Sequence, residues 1–328
     1  MPDTATPAEI ERAAAILRAG GLVAFPTETV YGLGADASNP QAVAKIFAAK
    51  GRPQNHPLIV HLAGVESLPQ WAREIPEDAR KLAAAFWPGP LTLILKRGKG
   101  VAGCVTGGQD TVGLRVPGHP VALELLRAFA GEEGGRAFSG LAAPSANRFG
   151  RISPTTAGHA RAELGDALDA VLDGGACEVG IESTIIDLSR GRAVLLRPGQ
   201  ITPAQVAAVL GAEVEEPDAG APRAPGTLES HYAPRTPLRL VPAAELPARM
   251  AELRGQKIAV LARAEAPSGL KEIYWQEAPR SVEGYARELY ASLRRLDELG
   301  CAVILVEAPP PVPGWQGVSD RLRRAASN

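Results

Sequence analysis

The chain has 328 residues, 45% of them hydrophobic, which is enough for one large domain plus a smaller one and excludes a disordered polymer. Lys+Arg 35 against Asp+Glu 36 leaves a formal charge of −1, without the basic stripe of a dedicated RNA-binding protein or any pull toward an anionic membrane. Cys104, Cys177 and Cys301 are scattered without a CxxC pair, and no run approaches about 20 apolar residues, so neither a disulfide framework nor a membrane span is expected.

The first twenty residues read as a charged amphipathic helix with no apolar signal core, which predicts a cytoplasmic protein. Glu9 to Ala19 is the helix, stopped by Gly20 and Gly21. LVAF (22–25) is a strand. Asn39 and Pro40 cap a helix through AVAKIFAAK that ends at Gly51. PLIVHLA (57–63) and PLTLILK (90–96) are strands with a helix in EDARKLAAAFW between them. TVGLRVP, GLAAPSAN, DAVLDGG, STIIDLS and AVLLRPG are short β-rich segments punctuated by Gly and Pro. Ser153–Pro154 and Thr202–Pro203 each open a further helix. Mixing without strict βαβ regularity predicts a mixed, twisted α/β sheet rather than a barrel.

Composition changes near Glu215. EEPDAGAPRAPGTLESHYAPRTP is rich in Pro, Gly and charge and reads as an extended connector, long enough to be functional. Beyond it LRLV, KIAVLA, a long helix over VEGYARELYASLRRLDELG, CAVILVEA and a final short helix give a small α/β unit.

Five segments could carry chemistry. FPTETVYGLGADA (25–37) places Thr27 and Thr29 where they are poor core material; it is either an edge strand with a tight turn or a set of hydroxyls aimed at a polar ligand. Its GLGADA loosely matches a dinucleotide fingerprint, but no acidic residue follows between Asp36 and Glu66, so that match is rejected. In AKGRPQNHPLIVH (49–61), Lys50 and Arg52 either complement a helix C-terminus or form an anion site, and His61 ends a strand. Arg115, inside the apolar TVGLRVP that starts with Thr111, must face solvent or meet an anion such as a substrate carboxylate. APSANRFGRISPT (143–155) offers Ser145 and Asn147 on a loop and Ser153 as a helix cap, a natural anion seat. IESTIIDLS and LLRPG add Ser183 and Arg197. GxxxxGK[ST], HExxH, GxSxG and a Cys/His cluster are all missing, so P-loop, zinc and serine-hydrolase chemistry have no support.

In order, PTETVYGLG, KGR, SAN, ESTIIDL, LRPG and HYAP resemble the YrdC-like threonylcarbamoyl-AMP synthase family, and the trailing connector and small unit resemble its longer, two-domain (Sua-type) branch. The resemblance implies a YrdC-like catalytic domain over 1–214, a linker over 215–237 acting as a lid, and a Rossmann-like α/β domain over 238–328. It implies that L-threonine, bicarbonate and ATP give threonylcarbamoyl-AMP and pyrophosphate, with Mg²⁺ accompanying the nucleotide and no metal held by protein side chains. The product would pass to a tRNA threonylcarbamoyl transferase complex, and any contact with tRNA itself would not be tight. By motif, Thr29, His61, Arg115, the Ala143 backbone and Ser183 would hold threonine. Lys50 and Arg52 would be catalytic and, with His56, Thr111, Ser145, Asn147, Ser153 and Arg197, would surround the ATP phosphates and bicarbonate, while His231 or Tyr232 would touch nucleotide. The chain departs from the family pattern at His56, where Asn is common, and at Gly226–Thr227–Leu228–Glu229–Ser230, where a PGM stretch is common.

Overall fold

The computed structural model describes residues 4–131, 138–228, 230–269 and 272–327; Glu229 lies outside them. Through the first two-thirds the order is α1 (Pro7–Arg18), β1 (Val23–Phe25), β2 (Gly32–Asp36), α2 (Pro40–Lys50), β3 (Ile59–His61), α3 (Leu68–Trp71), α4 (Glu77–Phe86), β4 (Leu91–Lys96), α5 (Gly103–Thr106), β5 (Thr111–Arg115) and α6 (Pro120–Ala130). It continues with β6 (Leu141–Ala142), α7 (Ala157–Leu164), β7 (Ala170–Val171), β8 (Thr184–Asp187), β9 (Val194–Arg197) and α8 (Pro203–Leu210). The remainder is β10 (Leu238–Val241), α9 (Leu246–Glu252), β11 (Ile258–Ala262), β12 (Ile273–Glu277), α10 (Val282–Asp297), β13 (Val303–Glu307) and α11 (Gln316–Ala325).

Local chemistry explains the helix starts. Thr6 and Glu9 form a reciprocal capping box on α1, and the Asn39 side chain accepts from Gln41 N and Ala42 N at the head of α2. Gly51 ends α2 at φ +62°, a conformation glycine adopts without strain. The expected start at Ser153–Pro154 is corrected. The carbonyls of Pro154 and Thr155 accept from Tyr31 N and Cys177 N, so the segment is tied to neighbouring loops, and α7 begins only after Thr156 caps it. The sequence reading also left α3, α5, α6, α9 and β12 unassigned.

The strands form a mixed sheet in the order β7-β1-β2-β6-β3-β5-β4-β8-β9, as the alternation of short apolar runs and helices predicts. The parallel β3–β5 pair puts His61 directly beside Arg115. α1 and α6 cover one face, where Ile10, Leu17, Val121, Leu125 and Phe129 pack on Val23 and Phe25. α2 and α4 pack with Leu33, Val60, Leu93 and Leu114 in the main core.

A second sheet, β10-β13-β11-β12, is wholly parallel, as a Rossmann-like unit requires. One face has a core of its own, with Val241, Leu246, Ile258, Val260 and Leu305, and the other is shared with the first unit. Tyr285, Leu289, Leu293, Trp315 and Val318 pack in one cluster with Val30, Ile152, Val179 and Ile181 of the first unit. Between Leu210 and Leu238 the described chain has no regular element and runs as an extended strap. Arg190 and Arg192 pair with Asp218, and Asp297 accepts from Arg235 N and Thr236 N at the far end.

Gly180 lies at this junction with φ +79°, and an added Cβ would stand 2.4 Å from Ala286 O and from the Arg287 Cα. Gly191 has nearly the same φ, +77°, but open space around it. Gly191→Ala is therefore expected to lose only the left-handed backbone penalty, about 1–2 kcal/mol. Gly180→Ala should lose clearly more, because α10 must also move away. Denaturant unfolding of the two variants measures the difference; equal losses would remove this loop from the junction.

Candidate functional site

A cleft lies where the ends of β3 and β5, the loop after β1, the loop after β6 and the strap converge. Ten of the sequence-nominated residues line it: Thr29, Arg52, His61, Arg115, Ala143, Ser145, Ser183, Arg197, His231 and Tyr232.

One end is built around Arg115, buried at the end of β5. Its Nε donates to Gly89 O at 3.1 Å, Nη1 to Thr29 Oγ1 at 2.9 Å, and Nη2 lies 2.7 Å from Glu28 Oε1. Glu28 Oε2 also accepts from Gly118 N, which fixes the carboxylate. Thr27 orders the loop by donating to Val30 O, and the Thr27 and Thr29 hydroxyls lie 2.8 Å apart. A guanidinium has five N–H groups, so donors remain on Arg115 for another oxygen. His61 is buried alongside; burial, then the charge of Arg115, pushes it down to about 3, so it is neutral.

The other end is cationic. Arg52 is buried, with Nη2 donating to Pro57 O at 2.9 Å and Nε without a partner. Burial holds its guanidinium down to about 10. Arg197, also buried, donates from Nε to Ser183 O, from Nη2 to Ser183 Oγ and from Nη1 to Pro225 O of the strap. Ser183 Oγ in turn contacts Thr92 Oγ1 at 2.8 Å. Among the described residues, Lys50, Arg52 and Arg197 make no ion pair with a carboxylate.

Lys50, Asn147 and Ser153 support the lining rather than join it. Lys50 Nζ donates to the carbonyls of Ser145 and Asn147, so it shapes the SAN loop from behind. Burial, then the charge of Arg52, pushes its ammonium well below its ordinary range. The Asn147 amide donates to Arg148 O and Arg151 O. The Ser153 hydroxyl donates to Glu182 at 2.5 Å. Two nominated residues stand apart. Thr111 begins β5, about 13 Å along the strand from Arg115 at about 3.3 Å per residue. His56 packs edge-on against Phe149, outside the lining.

The strap closes the cleft with Pro225, Gly226, His231 and Tyr232. Gly226, at φ +75°, passes so near the Tyr232 hydroxyl that a Cβ would stand 2.0 Å from it. Sequence reasoning missed Glu28 and Glu182, both inside quoted motifs. Each is an acid within a motif of mostly uncharged residues, and the only signal available was that a buried charge needs a partner somewhere in the chain.

Comparison with known proteins places the whole chain. Residues 15–199 match the Sua5/YciO/YrdC family model, described as "Telomere recombination", and residues 201–327 match one described as "Threonylcarbamoyl-AMP synthase, C-terminal domain". The chain belongs to the Sua5/YciO/YrdC family, in its two-domain form. It is 39% identical to the threonylcarbamoyl-AMP synthase of Pyrococcus abyssi, over 97% of this chain and 94% of that protein. It is 40% identical to the Bacillus subtilis enzyme of the same name, over 97% and 93%. The crystal structure of P. abyssi Sua5 complexed with L-threonine superposes with a TM-score of 0.88 at 39% identity, covering 98% of this chain and 95% of that one. Among the described residues no helix is long and apolar enough to cross a membrane.

Burial likewise pushes His231 down to about 3. The unfolded chain takes up protons near the ordinary value of 6.5 while folded His61 and His231 do not. Stability is thus expected to fall as pH drops from 6.5 toward 3, by at most about 1.4 kcal/mol per pH unit for each histidine. His61→Gln should make the curve of unfolding free energy against pH shallower between pH 6 and pH 4. An unchanged slope would mean that His61 protonates in the folded state.

Proposed function

We propose that the protein is a threonylcarbamoyl-AMP synthase, joining L-threonine, bicarbonate and ATP into threonylcarbamoyl-AMP and pyrophosphate. In this reading a separate transferase complex carries the threonylcarbamoyl group to adenosine in tRNA. The observation that supports it best is the polarity of one cleft. A carboxylate-sized end around Arg115, already balanced by Glu28, adjoins an end lined by Arg52 and Arg197 with Lys50 behind its SAN loop, and among the described residues none of these three makes an ion pair with a carboxylate. An amino acid and a polyphosphate are ligands of that charge pattern.

The threonine carboxylate takes the remaining donors of Arg115, with Thr29, His61, Ser183 and the Ala143 backbone around the rest of the molecule. The amine attacks the carbon of bicarbonate, and its proton leaves with the expelled hydroxide as water, giving the carbamate. A carbamate oxygen then attacks the α-phosphorus in line, and pyrophosphate departs. Arg52 and Arg197 offset the charge that develops on the phosphate oxygens, with the Lys50 ammonium adding its field from behind the SAN loop, and catalysis is chiefly positioning and electrostatic stabilisation. No side chain is needed as a base, because the bicarbonate oxygen carries the proton away.

Mg²⁺, in this reading, enters on the phosphates. The described residues contain no group of three metal-ligating side chains, and Glu28 and Glu182 are each engaged by an arginine. The ion would keep phosphate oxygens and water as ligands, as Mg²⁺ commonly does. The closed strap excludes water from an adenylate that hydrolyses readily.

Pyrophosphate release from ATP should require threonine and bicarbonate together; release with neither, or with no combination, would overturn the assignment. Lys50→Met keeps the side-chain stem packed and removes the charge. It should cut that release about 100-fold, the scale of losing one stabilising donor, while threonine binding by calorimetry is unchanged. Release at the parent rate would take Lys50 out of the reaction.

A further inference from the structure

Glu182 lies in the loop just before Ser183, lines the cleft and is buried. It touches neither Arg115 nor the SAN loop, and the reaction outlined above gives it no task. Its carboxylate nevertheless gathers three donors from separate parts of the chain. Oε1 accepts from Ser153 Oγ at 2.5 Å, and Oε2 accepts from Tyr290 OH at 2.9 Å and Arg321 Nε at 2.8 Å. Arg321 also donates to the Glu182 and Pro198 carbonyls. Tyr290 belongs to α10 and Arg321 to α11, so the C-terminal unit meets the cleft at this acid.

The same two residues hold the strap. The Tyr232 ring stacks on Tyr290 at 5.8 Å between centroids, and the Arg321 guanidinium lies 5.4 Å from the centroid of the same Tyr232 ring. Arg324, one turn further along α11, donates to Leu228 O and accepts from His231 N through its carbonyl. Tyr232 is held at φ +62°, a left-handed conformation that costs a non-glycine residue free energy and needs support from its surroundings.

We propose that Glu182 is a positioning residue, the joint through which the C-terminal unit seats Tyr232 and the strap over the cationic end of the cleft. Removing the carboxylate frees Tyr290 and Arg321 to shift, the ring loses its two supports, and the strap opens more often. The C-terminal unit therefore sets how long the nucleotide end stays closed without contributing a group to the Arg115 end. The state of the acid agrees with this role. Burial raises its pKa, but the charges of Arg321 and Arg197 and the bonds from Arg321 and Ser153 outweigh that and hold it at about 2. Near neutral pH it is therefore an anion. One consequence concerns Ser153, whose hydroxyl proton is committed to Glu182 in the closed arrangement; the serine orients the acid and offers the cleft only lone pairs.

The kinetic part of this inference rests on the proposed synthase reaction, whereas the strap's behaviour can be followed without turnover. The strap amides of His231 and Ala233 are bonded to Arg324 O and Gly150 O, so their hydrogen exchange reports opening. Glu182→Gln and Tyr290→Phe, alone and together in the full-length chain, should each speed exchange at both amides. The expected factor is about tenfold, the scale of one lost hydrogen bond to a charged group. The KM for ATP should rise by a similar factor, while calorimetric threonine affinity stays within about twofold, because no Arg115 contact is changed. Because both substitutions break one joint, the double variant should exceed the stronger single variant by less than about twofold. Exchange at parent rates, even with a lowered melting temperature, would show a merely structural acid and overturn the proposal. Fully multiplicative effects would overturn it too, since the two residues would then act separately. The exchange result holds whether or not the parent chain releases pyrophosphate, so failure of the proposed reaction would be seen apart from failure of the joint.

Discussion

Lys50, Arg52 and Arg197 are buried with backbone carbonyls for company and, among the described residues, no carboxylate in ion-pair contact, and the fold is organised to tolerate that. An unpaired buried charge costs several kcal/mol even after relaxation. Carbonyl oxygens from Ser145, Asn147, Pro57, Ser183 and Pro225 offset part of this, and each comes from a segment without regular structure. Loops are needed because carbonyls inside a sheet or helix are already engaged. The irregular segments that follow α2, β6 and α8 are in this sense solvation shells for cations. An incoming polyanion would complete the neutralisation that the carbonyls begin.

The Arg115 end obeys the opposite rule. Glu28 cancels its charge, and the parallel pairing of β3 with β5 sets neutral His61 at its side. One end of the cleft is therefore electrically balanced and well bonded before any ligand arrives, and the other is not. A small zwitterion placed at the balanced end meets a preformed, largely rigid set of donors. A polyphosphate gains most at the unbalanced end, where the field of three cations acts in a medium of low dielectric constant. The same asymmetry sets which substrate face the strap must cover.

Much of this could be read from residues. The Asn39–Pro40 start, the Gly51 stop and the apolar runs around His61 and Arg115 are local signals, and the observed elements follow them. Ser153–Pro154 misled, because a cap pattern was matched while the carbonyls after it went to Tyr31 and Cys177, residues distant in sequence. β12 escaped notice because its residues alternate between half-buried and exposed at a sheet edge, leaving little apolar pattern. In the cleft, the residues that touch open space were legible as polar groups in apolar surroundings. Those that act through others, Glu28 and Glu182, were not, since their meaning depends on arginines 87 and 139 positions away.

The strap shows why composition alone cannot separate a tether from a working part. Pro, Gly and charge are what a flexible linker would have, yet this one is bonded along much of its described length. Its prolines and Gly226 let the backbone cross a crowded cleft where a Cβ would strike Tyr232. Its charges, Asp218 above all, meet arginines on β8–β9 loops at one end, and Asp297 receives its amides at the other. Surface pairs of this kind contribute little each and are screened by salt. The grip at the centre is different in kind, because Tyr232, Tyr290, Arg321 and Glu182 are all buried. A strap fastened weakly at its ends and firmly at its middle opens or stays shut according to the middle. Two of those four, Tyr290 and Arg321, belong to the C-terminal unit, which fits a second sheet with its own core sharing a hydrophobic cluster with the loops that shape the cleft.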